Sequence, residues 1–271
     1  MYKIISKRVL APNLKQMVIE APLVARKAMP GQFIILRVDE TGERIPLTIA
    51  DYDREKGTVT IIFQEVGKTT KLLGSLEAGD FLRDFVGPLG KASEFDGLKR
   101  VLCIGGGVGT AVVYPQVKML YSMGVQVDVI IGARSKEYII LEEEISQCCD
   151  HLYITTDDGS YGRQGFVTDI LKELIEKGNQ YDRVIAIGPL IMMKTVSAIT
   201  KEHGIKTIVS MNPVMVDGTG MCGGCRVTVG GKSLYACVDG PDFDGHLVDF
   251  DEAMRRQQMY KDEEAKAALA H

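Results

Sequence analysis

A chain of 271 residues, 45% of them hydrophobic and 25% charged, can bury a large core and is long enough for two domains and an appendage. Its formal net charge of −4 leaves no basic excess for nucleic acid or an anionic membrane, so neither partner is expected. No apolar run is long enough to span a bilayer and the N-terminal stretch has no long apolar segment, so the expectation is a cytoplasmic protein in which Cys103, Cys148 and Cys149 are reduced thiols.

The first third is predicted to be all-β. Residues 15–19, 32–38, 47–51 and 58–64 are short β-rich runs separated by Pro, Gly and Asp turns, with almost no long helical periodicity, which points to a compact antiparallel barrel. Within it, Arg44-Ile-Pro-Leu-Thr48 sets a cation, a rigid proline and a hydroxyl at the start of an apolar strand. Downstream, Val66-Gly-Lys-Thr-Thr-Lys-Leu-Leu73 reads as a glycine turn running into a short helix whose first amides can hold a phosphate. A pyrophosphate suits the space between the two motifs, and Gly87-Pro-Leu-Gly90 marks the exit from the barrel. Taken singly, the same residues also suit a solvated arginine at a hairpin end and an ordinary helix cap.

Residues 99–210 change character. An apolar strand runs into Gly105-Gly-Gly-Val-Gly109, followed by a helix over 112–123, strands over 125–132 and 151–156, a helix over 168–177 and a buried strand over 183–188. Such alternation predicts a parallel α/β sheet, with His151 at a strand entrance and Cys103 packed inside a strand as a small hydrophobe. The unusual loops fall at the carboxyl ends of the strands, where such sheets bind ligands: residues 105–110, Gly132-Ala-Arg134-Ser, Thr156-Asp-Asp-Gly-Ser160 and Gly188-Pro189. Glycines there let a dinucleotide approach the backbone, although one glycine turn alone also suits tight strand-to-helix packing. The turn lacks the long dinucleotide spacing with a later acidic residue. Asp157 and Asp158 would repel a 2′-phosphate and favour NAD, whereas Arg134 argues for NADP; NAD is preferred.

The last stretch carries the strongest chemical signal. In Asp217-Gly-Thr-Gly-Met-Cys222-Gly-Gly-Cys225, followed by Cys237, three cysteines fit the last three positions of a plant-type [2Fe–2S] pattern, C-x4-C-x2-C with a fourth cysteine further on. Asp217 takes the first position, and a carboxylate oxygen can bind iron while altering the potential. Structural cysteines and a zinc knuckle are the competing readings; zinc usually asks for four N/S ligands, and the segment has no histidine. His203, His246 and His271 read as scattered surface residues. A charged helix is expected over 250–270, with Asp249, Asp251 and Glu252 at its start and a short apolar stripe of Met254, Met259 and Tyr260. It suits docking to a partner or packing on its own subunit.

Barrel, nucleotide domain and cysteine segment in this order resemble the ferredoxin reductase superfamily, over the whole length. Within it the chain is similar to electron-transfer subunits that append a [2Fe–2S] domain, including those of dihydroorotate dehydrogenase and of electron-bifurcating NADH-dependent ferredoxin:NADP transhydrogenases. The motifs are Arg44-Ile-Pro-Leu-Thr48, Val66-Gly-Lys-Thr-Thr70, Ile104-Gly-Gly-Gly-Val-Gly109, Thr156-Asp-Asp-Gly-Ser-Tyr-Gly162, Cys237-Val-Asp-Gly-Pro-Asp-Phe-Asp-Gly245 and Val248-Asp-Phe-Asp-Glu252. The resemblance implies a fold of β-barrel plus α/β domain: an FAD-binding barrel over 1–98, an NAD-binding domain over 99–210, a [2Fe–2S] domain over 211–248 and a C-terminal helix over 249–271.

By the same resemblance, Arg44, Pro46, Leu47 and Thr48 hold FAD, with Gly67, Thr69 and Thr70 at its pyrophosphate. Gly106, Gly107, Gly109 and Thr110, with Asp157, Asp158 and Gly188, line the NAD(H) site, and Asp217, Cys222, Cys225 and Cys237 ligate the cluster. The family's glycine turn usually runs into Ala-Pro, whereas here it continues Thr110-Ala-Val-Val-Tyr-Pro115. The first cluster ligand is cysteine in the dihydroorotate subunits and aspartate in the transhydrogenase group, which favours the second group. The implied activity is electron transfer from NADH through flavin and cluster to a larger flavin/[4Fe–4S] subunit in a heterodimer, and through that complex to ferredoxin. The alternatives are the electron-transfer subunit of an NAD-linked dihydroorotate dehydrogenase, or a non-enzymatic nucleotide-binding module whose cysteine segment holds zinc or no metal.

Overall fold

A computed structural model describes residues 1–260, which fall into two compact units. The first unit joins Met1–Ala92, Asn212–Pro241 and the segment beginning at Asp249; the second joins Ser93–Met211 and Asp242–Val248.

In the first unit the chain runs β1 (Tyr2–Ala11), β2 (Leu14–Glu20), α1 (Pro22–Lys27), β3 (Phe33–Arg37), β4 (Arg44–Asp53), β5 (Thr58–Gln64), α2 (Lys68–Ser75), β6 (Phe81–Leu82) and β7 (Asp84–Leu89). The strands pair in the order β6-β1-β2-β5-β4-β3-β7, antiparallel throughout. Only Arg83 separates β6 at one end of this sheet from β7 at the other, so the sheet must curl into a nearly closed barrel. The inward faces of its strands supply a core that includes Met17, Ile19, Ile34, Leu36, Ile49, Val59, Ile61, Phe63 and Phe85. Helix α1 departs from the all-β expectation. Six residues are too few to display a helical period; Pro22 opens the turn, and Val24 and Ala25 bury against the barrel core.

The second unit runs β8 (Arg100–Gly106), α3 (Gly109–Ser122), β9 (Gln126–Ala133), α4 (Glu142–Ser146), β10 (His151–Thr156), β11 (Arg163–Gln164), α5 (Val167–Glu176), β12 (Arg183–Ile187), α6 (Leu190–Glu202) and β13 (Thr207–Ser210). Strand order is β11-β10-β9-β8-β12-β13-β16, parallel except for the edge strand β16, which lies beyond the β14–β15 hairpin in sequence. β8 is therefore where the winding reverses, and the open crevice of such a sheet lies at the carboxyl ends of β8 and β12. Continuous buried runs such as Val101–Ile104 and Val127–Ile131 are what a sheet covered on both faces demands.

After β13 the chain returns to the first unit with the cysteine loop and the hairpin β14 (Arg226–Val229) and β15 (Lys232–Tyr235). β16 (Asp242–Asp244) then completes the parallel sheet, and α7 (Phe250–Gln257) packs with the first unit. The helix expected over 250–270 is seen over Phe250–Gln257. The amides of Gln258 and Met259 bond back to Arg255 and Arg256 and tighten the last turn, so Met259 and Tyr260 leave the helical stripe; the remainder of that expectation lies outside the described residues. Among the described residues no helix is long and apolar enough to cross a membrane.

Candidate functional site

On the barrel, β4 pairs with β3 so that Arg44 faces Arg37, Pro46 faces Ile35, Leu47 faces Ile34 and Thr48 faces Phe33. The two-residue period divides the four candidates. Leu47 packs with Ile45 against the barrel core, while Arg44, Pro46 and Thr48 lie on the other face. Pro46 costs no ladder bond to β5, because that pairing begins only at Ile49. Glu43 links this strand to α2, accepting from Thr69 Oγ1 at 3.3 Å. Gly67 caps α2, and Thr70 Oγ1 accepts from the Val66 and Gly67 amides at 3.0 Å each. The strand that carries Arg44 and the start of α2 are thus joined through Glu43 and Thr69.

The cysteine loop packs on the same barrel. A Cβ at Gly218 would lie 2.9 Å from Ile35 and 3.3 Å from Leu89, and Gly218 has φ +82°, a conformation that glycine adopts without strain. Asp217 Oδ2 accepts from the Thr219 amide at 2.8 Å and from the Thr219 hydroxyl, and the hydroxyl first, then the amide, hold its carboxyl below the ordinary value. The Gly224 amide donates to Cys222 Sγ at 3.4 Å and, with the Asp217 amide, lowers that thiol. Cys225 and Cys237 are buried with sulfurs 3.2 Å apart, and the Cys237 amide donates to Cys225 Sγ at 3.4 Å. Burial and the bond to Cys225 push the Cys237 thiol up to about 12, a proton that a bound metal would displace.

This donor set fits the group that the spacing suggests. Backbone amides already point at two of the sulfurs, and the six cysteines form no disulfide. Among the described residues no group of three His, Cys, Asp or Glu side chains is gathered around one metal-ion position.

In the second unit, Gly106 and Gly107 close β8, with Gly107 at φ +55° and its amide donating to Gly132 O at 2.8 Å. A Cβ at Gly109 would come within 2.2 Å of the Ile187 carbonyl, so only glycine lets α3 start this close to β12. Gly188 lies against Gly106, with Met192 and Pro189 beside them; Pro189 belongs to the strand-end loop marked in the sequence, whereas Met192 is not singled out there, since an apolar residue in a helix start carries no pattern of its own. Thr110 is fully buried against Gly105, and its Oγ1 has no hydrogen-bond partner among the described residues. Asp157 and Asp158 donate their amides to Ala133 O and Arg134 O at 3.1 and 3.2 Å, which ties this turn to the end of β9. The Arg134 guanidinium lies over the Tyr138 ring at 5.0 Å, and Asp158 Oδ1 accepts from the Ser160 amide at 2.9 Å. Gly188, Gly106, Gly107, Gly132 and the Asp157 turn therefore form one row along the carboxyl ends of β12, β8, β9 and β10.

Residues 212–249 match the model of the iron-sulfur cluster binding domain of dihydroorotate dehydrogenase B. A Thermotoga maritima relative described as a dihydroorotate dehydrogenase B (NAD(+)) electron transfer subunit homolog is 45% identical, over 97% of this chain and 92% of its own. The Streptococcus mutans dihydroorotate dehydrogenase B (NAD(+)) electron transfer subunit is 34% identical over 90% of this chain and 96% of its own. The chain belongs to this family of electron-transfer subunits. Among solved structures, a chain of the NADH-dependent reduced ferredoxin-NADP oxidoreductase, a structure concerned with flavin-based electron bifurcation, superposes with TM-score 0.94 at 43% identity, covering 100% of this chain and 97% of that one. Phthalate dioxygenase reductase shares the fold of this electron-transfer subunit at TM-score 0.61 and 14% identity, over 84% and 85% of the two chains.

Proposed function

We propose that this electron-transfer subunit moves electrons between NADH and a larger flavin/[4Fe–4S] partner subunit in a cytoplasmic ferredoxin:NADP(H)/NAD(H) transhydrogenase. The observation that carries the proposal is the packing of the Asp217–Cys225 loop on the barrel that also presents Arg44 and the α2 start. Arg44 neutralises a dinucleotide pyrophosphate, the first turn of α2 accepts its charge, and Pro46 and Thr48 present the adjoining strand face to FAD. Gly106, Gly107, Gly109 and Gly188 let NAD(H) approach the backbone, while Asp157 and Asp158 disfavour a 2′-phosphate beside Arg134. Asp217, Cys222, Cys225 and Cys237 are the ligands of a [2Fe–2S] centre. When bound, the flavin exchanges the electron pair of a hydride for the single electrons that an iron–sulfur centre carries.

Asp217 at the first ligand position favours the transhydrogenase group, and the 43% identity with the ferredoxin-NADP oxidoreductase chain supports it. A second reading, an NAD-linked dihydroorotate dehydrogenase complex, is favoured by the descriptions of the Thermotoga and Streptococcus relatives. An absorption spectrum of anaerobically purified protein, with iron, sulfide and flavin counted, tests the role. About two irons and one FAD per chain, bleached by NADH, are expected. Zinc or no metal, no flavin and no response to NADH after reconstitution would leave the binding-module reading. Ferredoxin-linked rather than dihydroorotate-linked reduction in the reconstituted complex separates the two enzymes.

A further inference from the structure

Arg256 on α7 reaches back to the cysteine loop, its Nη2 donating to the Gly224 carbonyl at 3.2 Å. Gly224 lies between Gly223, at φ +67°, and Cys225, and its own amide donates to Cys222 Sγ at 3.4 Å. The two peptide planes that meet at Gly224 are therefore held differently, one by a guanidinium and one against a sulfur. Gly223 and Gly224 offer no side chain to restrain this turn, and Cys222 is exposed, so water competes for its sulfur. Restraint has to come from elsewhere in the fold.

Helix α7 is placed to supply it. The Asp249 amide donates to Thr228 O on β14 at 2.9 Å, the Asp249 carboxylate caps the helix by accepting from the Glu252 amide at 2.8 Å, and Phe250 is buried. β14 begins immediately after Cys225, so the helix is tied to the strand that leaves the loop while Arg256 grips the loop itself. Arg256 Nε is buried with no hydrogen-bond partner among the described residues, a cost that the remaining guanidinium contacts must offset.

We propose that Arg256 is a positioning residue for the iron–sulfur centre, locking Gly224 so that its amide stays on the Cys222 sulfur and adding a positive charge beside the loop. The inference rests on the [2Fe–2S] reading above. Reduction adds negative charge to the centre, which amide bonds to sulfur and a nearby cation both stabilise. Arg256 therefore raises the reduction potential and couples the C-terminal helix to it.

Redox titration followed by electron paramagnetic resonance, on the cofactor-loaded wild type and on Arg256→Met, Arg256→Lys and Arg255→Met, tests this, with iron and sulfide counted in each. Arg256→Met is expected to shift the potential negative by on the order of 59 mV, a tenfold change in the one-electron equilibrium constant. Arg256→Lys keeps the charge without the planar fork and recovers part of the shift. Arg255→Met removes an equal charge from an exposed side chain of the same helix and leaves the potential at the wild-type value. No shift in Arg256→Met, or equal shifts in both methionine variants, overturns the positional role. Should Arg256→Met lose its cluster, hydrogen exchange on cluster-free protein decides: faster exchange at the Gly224 amide than in wild type supports the contact, and equal exchange overturns it. Absence of iron and sulfide from reconstituted wild type overturns the cluster reading itself.

Discussion

Asp128 shows how a residue can matter without belonging to a site. It is buried on β9, where its carboxylate accepts from Tyr181 Oη at 2.7 Å and Arg100 Nη2 at 2.8 Å and faces His151 Nδ1 at 2.8 Å. Burial pushes its carboxyl up, but the bonds from Tyr181, His151 and Arg100 outweigh burial and hold it below the ordinary value. A depressed carboxyl contributes stability that is present above the ordinary carboxylate value and is lost as pH falls through the lowered folded value. Asp128→Asn should cost about 3 kcal/mol at neutral pH, because Arg100 and Tyr181 lose their charged partner, and should flatten the acid limb of stability. Urea denaturation across a pH series measures both effects; an unchanged acid limb would show that Asp128 does not titrate with unfolding. His151 was legible as a strand entrance, but Asp128 is 23 residues away, and their meeting requires β9 and β10 to be neighbours. The Asp217–Cys237 set is the opposite case, since three of its four members lie within one loop and announce themselves by spacing.

At the scale of elements, α2 depends on contacts at both ends. Thr70 satisfies the amides of Val66 and Gly67 at its start, while Lys7 and Lys15 both donate to the Gly74 carbonyl at its end, at 2.8 and 3.1 Å. Cations there complement the helix dipole, and Glu65 and Glu77 hold the two lysines in place. Thr70→Ala should cost about 1 kcal/mol and lower flavin retention, read by thermal melting and by flavin content after gel filtration. Full flavin retention in a destabilised variant would separate the cap from the proposed pyrophosphate site. The glycine turn and short helix were readable from Val66-Gly-Lys-Thr-Thr70. The lysine clamp was not, because it joins β1 and β2 to a helix far along the chain. Leu47 marks a similar boundary: the motif identified the strand, but its register with β3 assigned Leu47 to the core and left Arg44, Pro46 and Thr48 on the other face.

For the whole molecule, the proposed role requires that the flavin mediate between a two-electron donor and a one-electron centre. Removing the flavin while retaining the cluster should therefore abolish bleaching by NADH and preserve bleaching by dithionite, as followed by absorption in an anaerobic cuvette. Bleaching by NADH in the flavin-free chain would dispense with that intermediary. By itself the sequence determined the barrel, the parallel sheet and the ligand spacing, because two-residue and helical periodicities, glycine turns and clustered cysteines are local patterns that backbone geometry and metal chemistry demand. Only the tertiary structure decided that the winding reverses at β8, that Met192 and Pro189 close on Gly106, that Thr110 is buried against Gly105, and that Arg256 grips Gly224. Each of these depends on which distant segments become neighbours, and close packing rather than local propensity makes that choice.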